Sequence, residues 1–394
     1  MKVLFLTSSP GYGHTRAAEA IGAALQHKYP DIETNYLDVT QLLDPQASAA
    51  LQDGYLRMTA EHPELYQKLY NLDSNLYRQL AGKIPADQIL VDFLTEQQRR
   101  SYPEEFERSV FSLPVYYKNL DGALLNTFIN GICNRNKTPA GRLLLQGLLA
   151  LIFRILSSRV KKFVAEYNPD CIVATQMYPN ALLSRFIKKG TITKPIVGVL
   201  TDYGVHGVWV RDTTSLYCVG HQDVADSLRK QGIAPHRIRV TGIPLIPEFE
   251  TLPTQQEARK NLGLSTTNPT ILITGGQCGI GVIDALQQLL DDKRHQYQLL
   301  VTEGSHAADN EKLQQLAHNY PDRFRLFGWR SDMRDLFCAA DIVVGKPGGL
   351  TVSETLACGK PFIATCCLGG QEMHNVNFLE KNNAGLYVEL AQLS

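Results

Sequence analysis

Short apolar runs alternate with glycine-rich turns and amphipathic segments through much of the chain, most clearly near its end. There the apolar runs Ile342–Gly345 and Pro361–Thr365 are each followed by a pair of glycines. Helices are predicted next, over Val352–Cys358 and from Gln371 to about Asn383. Such alternation is typical of parallel βαβ units. Because ligands of parallel sheets bind at the carboxyl ends of the strands, both glycine turns lie at the predicted ligand edge.

The same pattern divides the chain into two series of strands. A Pro-rich, polar stretch from Gly242 to Glu257 separates them, which predicts a linker and two domains, residues 1–245 and 246–394. No clear strand is found between Gln41 and about Lys162. The other predicted strands are Val3–Thr7, Ile32–Val39, Cys171–Ala174, Pro195–Thr201, Leu216–Val219 and Ile238–Thr241, then Thr270–Thr274, Leu299–Thr302 and Phe324–Phe327.

Composition adds limits on partners and compartment. The 394 residues suffice for two domains, and 39 basic against 39 acidic side chains give no basic excess for nucleic acid. Residues 1–245 carry 27 Lys and Arg against 22 Asp and Glu. This basic part is compatible with an anionic membrane surface, although such an imbalance is more often ordinary surface variation. The eight cysteines show no CxxC pair, which indicates buried thiols in a reducing compartment.

Neither a signal peptide nor a membrane span is predicted. Lys2 is followed at once by a strand, and no apolar run reaches the roughly 18 residues that a spanning helix needs. The most apolar segment, Leu143–Leu156, is interrupted by Gln146, Gly147 and Arg154. It is either an interfacial helix or a buried helix before the next strand, and the buried helix is favoured.

The first of the two glycine turns near the chain end has the composition of an anion-binding loop. Gly348 and Gly349 allow close backbone approach, and the N–H groups of the following helix carry a partial positive charge. Thr351 adds a hydroxyl, and Glu354 could accept hydrogen bonds from ribose hydroxyls. An alternative stays open, because Thr351-x-x-Glu354 is also the pattern of a capping box. Residues 371–372 could hold sugar hydroxyls or only begin a polar helix.

The spacing of both turns together resembles the donor site of the GT-B glycosyltransferases. Residues 346–354 read Lys-Pro-Gly-Gly-Leu-Thr-x-x-Glu, and residues 369–375 read Gly-Gly-Gln-Glu-x-x-Asn. They are most similar to the monogalactosyldiacylglycerol synthases and bacterial processive diacylglycerol glucosyltransferases, which usually have Pro in place of Gly369. The resemblance implies that the first loop, with Lys346, holds the phosphates of a UDP-sugar and that Glu354 holds its ribose. The hexose would contact Gln371, Glu372 and Asn375.

An earlier glycine turn, residues 8–14, lies between the first strand and a helix predicted over Thr15–Tyr29. A dinucleotide fingerprint would need a third glycine where Arg16 stands, so the nicotinamide interpretation is weak. A lone loop histidine is more often structural than a general base. However, residues 11–21 read Gly-x-Gly-His-x-x-Ala-Ala-x-Ala-Ile, similar to the first motif of the same family. That resemblance implies that His14 removes the proton of the acceptor hydroxyl. The acceptor site would include Gly11 and Gly13.

The loop after the predicted strand Pro195–Thr201 combines a carboxylate, a histidine and a tryptophan. It reads Thr-Asp-x-x-x-His-x-x-Trp, similar to the third motif of the family, which lies at the acceptor cleft on the membrane side. The resemblance implies a catalytic role for Asp202 and acceptor contacts for His206 and Trp209. Packing could instead explain Trp209, and Asp202 could cap a turn.

Two further turns complete the predicted donor site. Gly275, Gly276 and Gln277 follow the first strand of the second domain and could contact the donor phosphate or the catalytic centre. Trp329 and Arg330 lie where GT-B donor domains hold the uracil, largely through backbone groups.

The resemblance implies an α/β fold of the GT-B class, with two Rossmann-like domains facing a cleft. Residues 1–245 would form the acceptor domain on the membrane side, and residues 246–394 the UDP-sugar donor domain. The family normally continues with a helix that crosses back to the first domain. Because this chain stops at Ser394, a short C-terminal tail is expected.

The implied activity is inverting transfer of galactose or glucose from a UDP-sugar to diacylglycerol, without a metal or another cofactor. The expected partners are the UDP-sugar, diacylglycerol or a related lipid, and an anionic membrane surface, with no nucleic acid. The expected location is cytoplasmic and peripheral, on the inner membrane face. Two alternatives stay open: N-acetylglucosamine transfer to an undecaprenyl-linked muropeptide, and a sensor that binds UDP-sugar without turnover.

Overall fold

The computed structural model describes residues 1–8, 12–42, 156–292, 297–305, 307–321, 323–328, 330, 332–367 and 370–393. The predictions for Gly11 and Trp329, and nearly all of the apolar segment Leu143–Leu156, lie outside these residues.

A sheet of six parallel strands forms the first part of the fold, in the order β2-β1-β3-β4-β5-β6. Its strands are short runs rich in Val, Ile and Leu, and in β1 every residue after Lys2 is buried. Burial on both faces is the rule for parallel strands, because helices cover both sides of the sheet. The strands are β1 Lys2–Thr7, β2 Glu33–Asp38, β3 Cys171–Ala174, β4 Ile196–Val199, β5 Leu216–Val219 and β6 Ile238–Val240. The helices are α1 Tyr12–Lys28, α2 over residues 156–167, α3 Met177–Lys188 and α4 Gln222–Lys230.

A second sheet of six parallel strands has the order β12-β11-β10-β7-β8-β9. Its core includes Leu272, Val343 and Phe362, which pack against buried side chains of the covering helices. The strands are β7 Thr270–Thr274, β8 Gln298–Thr302, β9 Phe324–Phe327, β10 Ile342–Gly345, β11 Phe362–Ala364 and β12 Gly385–Tyr387. The helices are α5 Gln255–Asn261, α6 Val282–Asp291, α7 Ala307–Asn319, α8 Arg334–Ala339, α9 Gly349–Ala357 and α10 Gln371–Lys381.

The contacts of the chain separate it into two compact units, each built on one sheet. The first unit contains Met1–Ala18, Leu25–Leu200 and Val205–Gly242. The second contains Ile243–Ser394 together with the short segments Glu19–Ala24 and Thr201–Gly204.

Both sheets reverse their strand order once, and each reversal creates a switch point. In the first sheet the chain moves from β1 to β2 and then returns to β3 on the other side of β1. In the second it moves outward from β7 to β8 and β9, then returns to β10 on the other side of β7. Loops leaving the two strands at such a point run apart, which opens a crevice at the carboxyl edge where ligands bind. The β1/β3 and β7/β10 edges are therefore the places to look for function.

Three predicted boundaries were wrong, each because a local signal was misinterpreted. Helix α1 begins at Tyr12 rather than Thr15, so His14 lies in the first helical turn and not in a loop. The linker predicted to reach Glu257 ends earlier, because Thr254 and Glu257 form a capping box that opens α5. Helix α9 begins at Gly349 rather than Val352.

Helix α5 is anchored to the second sheet by a buried arginine. Arg259 donates through Nη2 to Asp341 Oδ2 at 2.6 Å and through Nε to the Ala339 carbonyl at 2.9 Å. Asp341 also accepts the backbone N–H of Thr270 at 2.7 Å. Burial would raise the pKa of Asp341, but these hydrogen bonds and the guanidinium charge hold that pKa below its ordinary value.

Replacing Arg259 by alanine should lower the free energy of unfolding by about 1–3 kcal/mol, since the buried guanidinium loses its hydrogen bonds to the half-exposed Asp341 carboxylate and to the Ala339 carbonyl. Urea unfolding measures the change. The matched control is Arg229→Ala, whose exposed pair with Asp226 should contribute less than about 1 kcal/mol. Because the pKa of Asp341 is lowered in the folded state, its contribution is present at neutral pH. It is lost as the pH falls through that folded-state pKa. Equal losses in the two variants would contradict the anchoring role.

Among the described helices, none is long and apolar enough to cross a membrane.

Candidate functional site

Three glycine-rich loops leave the carboxyl ends of three neighbouring strands in the second sheet. They follow β7, β10 and β11, which lie side by side, and the first two flank the switch point. A β-carbon at Gly276 in the β7 loop would lie 3.7 Å from Lys346 Cε in the β10 loop. The structure thus brings together the predicted donor residues of these two loops at one edge.

Close backbone packing makes glycine necessary in these loops. Gly345 has φ +150° at the end of β10, and a β-carbon there would overlap the Thr274 carbonyl oxygen of β7. At Gly349, a β-carbon would overlap the carbonyl oxygen of Thr201 and lie 3.0 Å from Asp202 Oδ1. Gly275 is equally confined, by the backbone of Gly279. Any larger residue at these positions would force the backbone apart.

The amino end of α9 has the geometry expected of an anion site. Its N-cap is Gly348, in extended conformation, and no side chain caps the first turn. Thr351 lies inside the helix, so it is not the N-cap and the capping-box alternative for Thr351 and Glu354 is wrong. Glu354 lies one turn further along α9 and is half-buried. A helix end without a side-chain cap presents backbone N–H groups and a partial positive charge to an anionic ligand.

An ion pair joins the loops that follow β10 and β11. The ammonium of Lys346 contacts the carboxylate of Glu372, in the first turn of α10, and the Glu372 side chain is only 3% exposed. Burial would lower the pKa of Lys346, but the charge of Glu372 and the hydrogen bond to it hold that pKa raised. The ion pair with Glu372 largely offsets the positive charge of Lys346. The net attraction for an anion at this edge therefore comes mainly from the backbone of α9.

Asn375 is fully buried in α10 and uses its amide to hold neighbouring segments. Its Nδ2 donates to Asp202 Oδ1 at 3.0 Å and to the Pro347 carbonyl at 2.9 Å, and its Oδ1 accepts the N–H of Tyr203 at 2.8 Å. Both donors of the amide are occupied. Asn375, predicted to contact the hexose, thus orients the carboxylate of Asp202 and the loop at Pro347.

Tyr203 holds the loop that contains Asp202 against α9 and α10. Its ring stacks on Phe378 with 3.8 Å between centroids, and its hydroxyl lies 2.9 Å from Ser353 Oγ. Ser353 in turn donates to the Gly349 carbonyl at 2.7 Å, so the tyrosine hydroxyl donates to Ser353. Burial raises the pKa of Tyr203, which keeps it protonated. Sequence reasoning missed Tyr203 and Ser353, although a tyrosine directly after a predicted site carboxylate was an available signal.

In the first unit, His14 and Gly13 lie at the amino end of α1, directly after β1, and both are half-buried. Two threonines lie at the carboxyl edge of the same sheet. Thr7 ends β1, Thr175 follows β3, and both hydroxyl oxygens are buried with no hydrogen-bond partner among the described residues. The switch point of this sheet thus carries unsatisfied polar atoms beside the helix that contains His14. The sequence signal was a hydroxyl residue at the end of each of two apolar runs.

His206 and Trp209 have structural roles in the first unit. His206 is 3% exposed and caps a short helical turn, because its Nδ1 accepts the N–H of Val208 at 3.2 Å. Trp209 is 6% exposed and packs in a core cluster with Leu200 and Tyr217. The packing interpretation of Trp209 is therefore the one that its burial favours, over contact with a lipid acceptor.

The remaining predicted donor residues lie at the same edge of the second sheet or close to it. Gln277 is in a short turn after β7, and its carbonyl accepts the N–H of Ser305 at 2.6 Å. Gln371 begins α10 and is half-buried. Arg330 follows β9, at the far edge of the sheet, with its guanidinium 3.7 Å from Asp332; its Nε is buried and has no hydrogen-bond partner in the part of the chain that the structure describes.

Within the described part of the chain, no three His, Cys, Asp or Glu side chains are grouped so that they could hold a metal ion. The expectation of metal-independent chemistry stays a prediction.

Two protein-family models match the chain. The family described as monogalactosyldiacylglycerol (MGDG) synthase matches residues 135–245, and the glycosyltransferase family 28 C-terminal domain matches residues 270–394. These segments contain the predicted third motif and both predicted donor loops.

Individual proteins are similar over part of their length. A processive diacylglycerol beta-glucosyltransferase of Bacillus pumilus is 30% identical over 234 residues, 59% of this chain and 60% of that protein. A probable chloroplastic monogalactosyldiacylglycerol synthase of Nicotiana tabacum is 27% identical over 260 residues, 63% of this chain and 48% of that protein. The chain thus spans about three-fifths of the bacterial relative and half of the plant one.

Among solved structures, MurG of Acinetobacter baumannii matches with a TM-score of 0.50 at 12% identity, covering 100% of this chain and 86% of that chain. At this identity the match concerns the fold alone. The α/β fold of the GT-B class is confirmed by it and by the two parallel sheets. The sequence resemblance predicted from the motifs is confirmed by the family models and relatives.

Proposed function

We propose that this chain, a relative of the monogalactosyldiacylglycerol synthases and processive diacylglycerol glucosyltransferases, transfers a hexose from a UDP-sugar to diacylglycerol. The observation that carries the proposal is the glycine-rich edge of the second sheet. There the uncapped amino end of α9 and the β7 loop meet at a switch point. The lipid acceptor is proposed from the activities for which the similar proteins are named.

The proposed reaction is a single displacement with inversion. The acceptor oxygen attacks the anomeric carbon, the bond from that carbon to the phosphate oxygen breaks, and UDP leaves with the electron pair. His14 takes the acceptor proton, as a general base does. The N–H groups of α9 stabilise the negative charge that develops on the departing diphosphate. Asp202 is held by Asn375 beside that helix end.

Turnover on defined lipid vesicles tests this function. The full chain is incubated with radiolabelled UDP-glucose or UDP-galactose and vesicles containing diacylglycerol, and the lipid extract is separated by chromatography. A labelled glycolipid supports the proposal, and the better donor identifies the hexose. Label transferred only to an undecaprenyl-linked muropeptide from UDP-N-acetylglucosamine would replace it with the muropeptide function. UDP binding without transfer to either acceptor would favour the remaining alternative, a sensor that binds UDP-sugar without turnover.

Glu354 is the proposed ribose ligand, and Glu354→Ala should weaken UDP binding by about 1–3 kcal/mol because a hydrogen-bonded charged group is lost. Calorimetric titration with UDP measures this change. Glu354→Gln is the matched control, since its amide oxygen still accepts a hydrogen bond. Glu354→Ala and the wild type should bind 2′,3′-dideoxy-UDP with the same affinity, because this analogue lacks both ribose hydroxyls. Unchanged UDP affinity in Glu354→Ala would exclude the ribose contact.

The acceptor is expected to remain in the bilayer, because transferring each CH₂ of its chains from the bilayer into water would cost about 0.8 kcal/mol. We therefore expect the protein to bind membranes peripherally, helped by the excess of basic residues in positions 1–245. Co-sedimentation should increase with the fraction of anionic lipid and decrease with salt, since charges are screened beyond about 10 Å at 0.1 M. Neutral vesicles are the control. Failure to bind anionic vesicles at low salt would favour a soluble acceptor.

A further inference from the structure

Two thiols of the second unit lie close together, each at the carboxyl end of a helix. Cys338 is near the carboxyl end of α8, and Cys358 caps the carboxyl end of α9. Their sulfur atoms are 3.5 Å apart, although the residues are 20 positions apart in sequence. Cys338 is 4% exposed, whereas Cys358 is partly exposed. Neither is among the residues proposed to bind the donor or acceptor.

We propose that Cys338 and Cys358 are a redox modification site, which forms a reversible intramolecular disulfide with a small disulfide such as oxidised glutathione. A disulfide bond is about 2.0 Å long, so the sulfurs need to approach by about 1.5 Å. Both side chains lie at helix ends, where small rotations can provide this. The bond would join the end of α8 to the end of α9.

The pKa shifts of the two thiols suit the second step of this exchange, in which Cys338 attacks. The pKa of Cys338 is lowered by the hydrogen bond with Cys358, against the opposing effect of burial, and the charge of Lys360 lowers it further. The pKa of Cys358 is raised for the complementary reason. Cys338 is therefore the thiolate of the pair that is suited to attack a mixed disulfide on Cys358, whereas Cys358 reacts first because it is the more exposed thiol.

The exchange balances in two steps. Cys358, the more exposed thiol, first loses its proton to solvent, and its thiolate attacks oxidised glutathione, which forms a mixed disulfide and releases one reduced glutathione. The Cys338 thiolate then attacks Cys358 Sγ, breaks the mixed disulfide and releases the second glutathione. The two protein thiols are oxidised and lose two protons, and one oxidised glutathione becomes two reduced molecules.

Differential alkylation and peptide mapping of the full chain, equilibrated in glutathione buffers of increasing oxidation, test this site. We expect Cys338 and Cys358 to lose their free thiols together and to appear in one linked peptide that a dithiol reductant separates. In Cys338→Ser the second step is blocked, so the mixed disulfide on Cys358 should accumulate at least about tenfold over the wild type. Cys218→Ser, which changes a thiol of the first unit, is the matched control and should behave as the wild type.

Two results would overturn the proposal. One is independent oxidation of Cys338 and Cys358 in the wild-type chain without a linked peptide, which requires no variant to fold. The other is an equal yield of mixed disulfide on Cys358 in the wild type and in Cys338→Ser. Neither readout depends on glycosyl transfer, so this site and the proposed function can fail separately.

Discussion

Replacing His14 by alanine should lower turnover by roughly two to four orders of magnitude, the usual contribution of a general base. UDP affinity should remain near that of the wild type, because the proposed donor residues belong to the second unit and His14 to the first. The measurement is kcat on diacylglycerol vesicles together with the Kd of UDP by titration.

His14→Gln is the matched variant, since it keeps a polar side chain of similar length in the first turn of α1. It should be nearly as inactive as His14→Ala, because an amide cannot accept the proton. If the glutamine variant retained most activity, the histidine would only be a hydrogen-bonding group. If UDP binding were lost and turnover changed little, His14 would contact the donor and not the acceptor hydroxyl.

Replacing Lys346 by methionine should destabilise the fold by about 3–5 kcal/mol, since the buried carboxylate of Glu372 then loses the ammonium charge that it contacts. Urea unfolding measures this change.

The double variant Lys346→Met with Glu372→Met separates stability from donor binding. Removing both charges should restore stability to within about 2 kcal/mol of the wild type, as apolar replacement of a buried ion pair often does. If Lys346 also contacts the donor phosphates, UDP affinity should stay low in this stable protein. Recovery of both stability and UDP affinity would show that the pair only holds the two loops together.

Most strands could be predicted because their local pattern and their final environment agree. Runs such as Thr270–Thr274 and Ile342–Gly345 are apolar in sequence and central in the sheet. The edge strand Gly385–Tyr387 was not predicted, since it is short, mostly exposed and begins with a glycine. The amino end of α1 was missed for a related reason, because Gly13 favours a turn when only sequence is considered.

The glycine positions of the site could be predicted, whereas the partners of its polar side chains could not. Asn375 binds Asp202 across 173 positions of sequence, and only the folded chain shows that its amide is occupied. The Lys346–Glu372 pair joins residues 26 positions apart that were both predicted as ligands, with no sign that they bind each other. Trp209 was ambiguous, because a tryptophan in a loop is compatible with either a core or a binding surface.

The confined glycines at the carboxyl edge of the second sheet affect how this site can be studied. Gly275, Gly345 and Gly349 have no side chain to remove, and any added atom would collide with neighbouring backbone. An alanine scan of this edge would therefore report folding defects and say little about ligand contacts made by N–H groups. Chemical changes are better made on the ligand: phosphorothioate and methylene analogues of UDP would probe each phosphate oxygen against an unaltered protein.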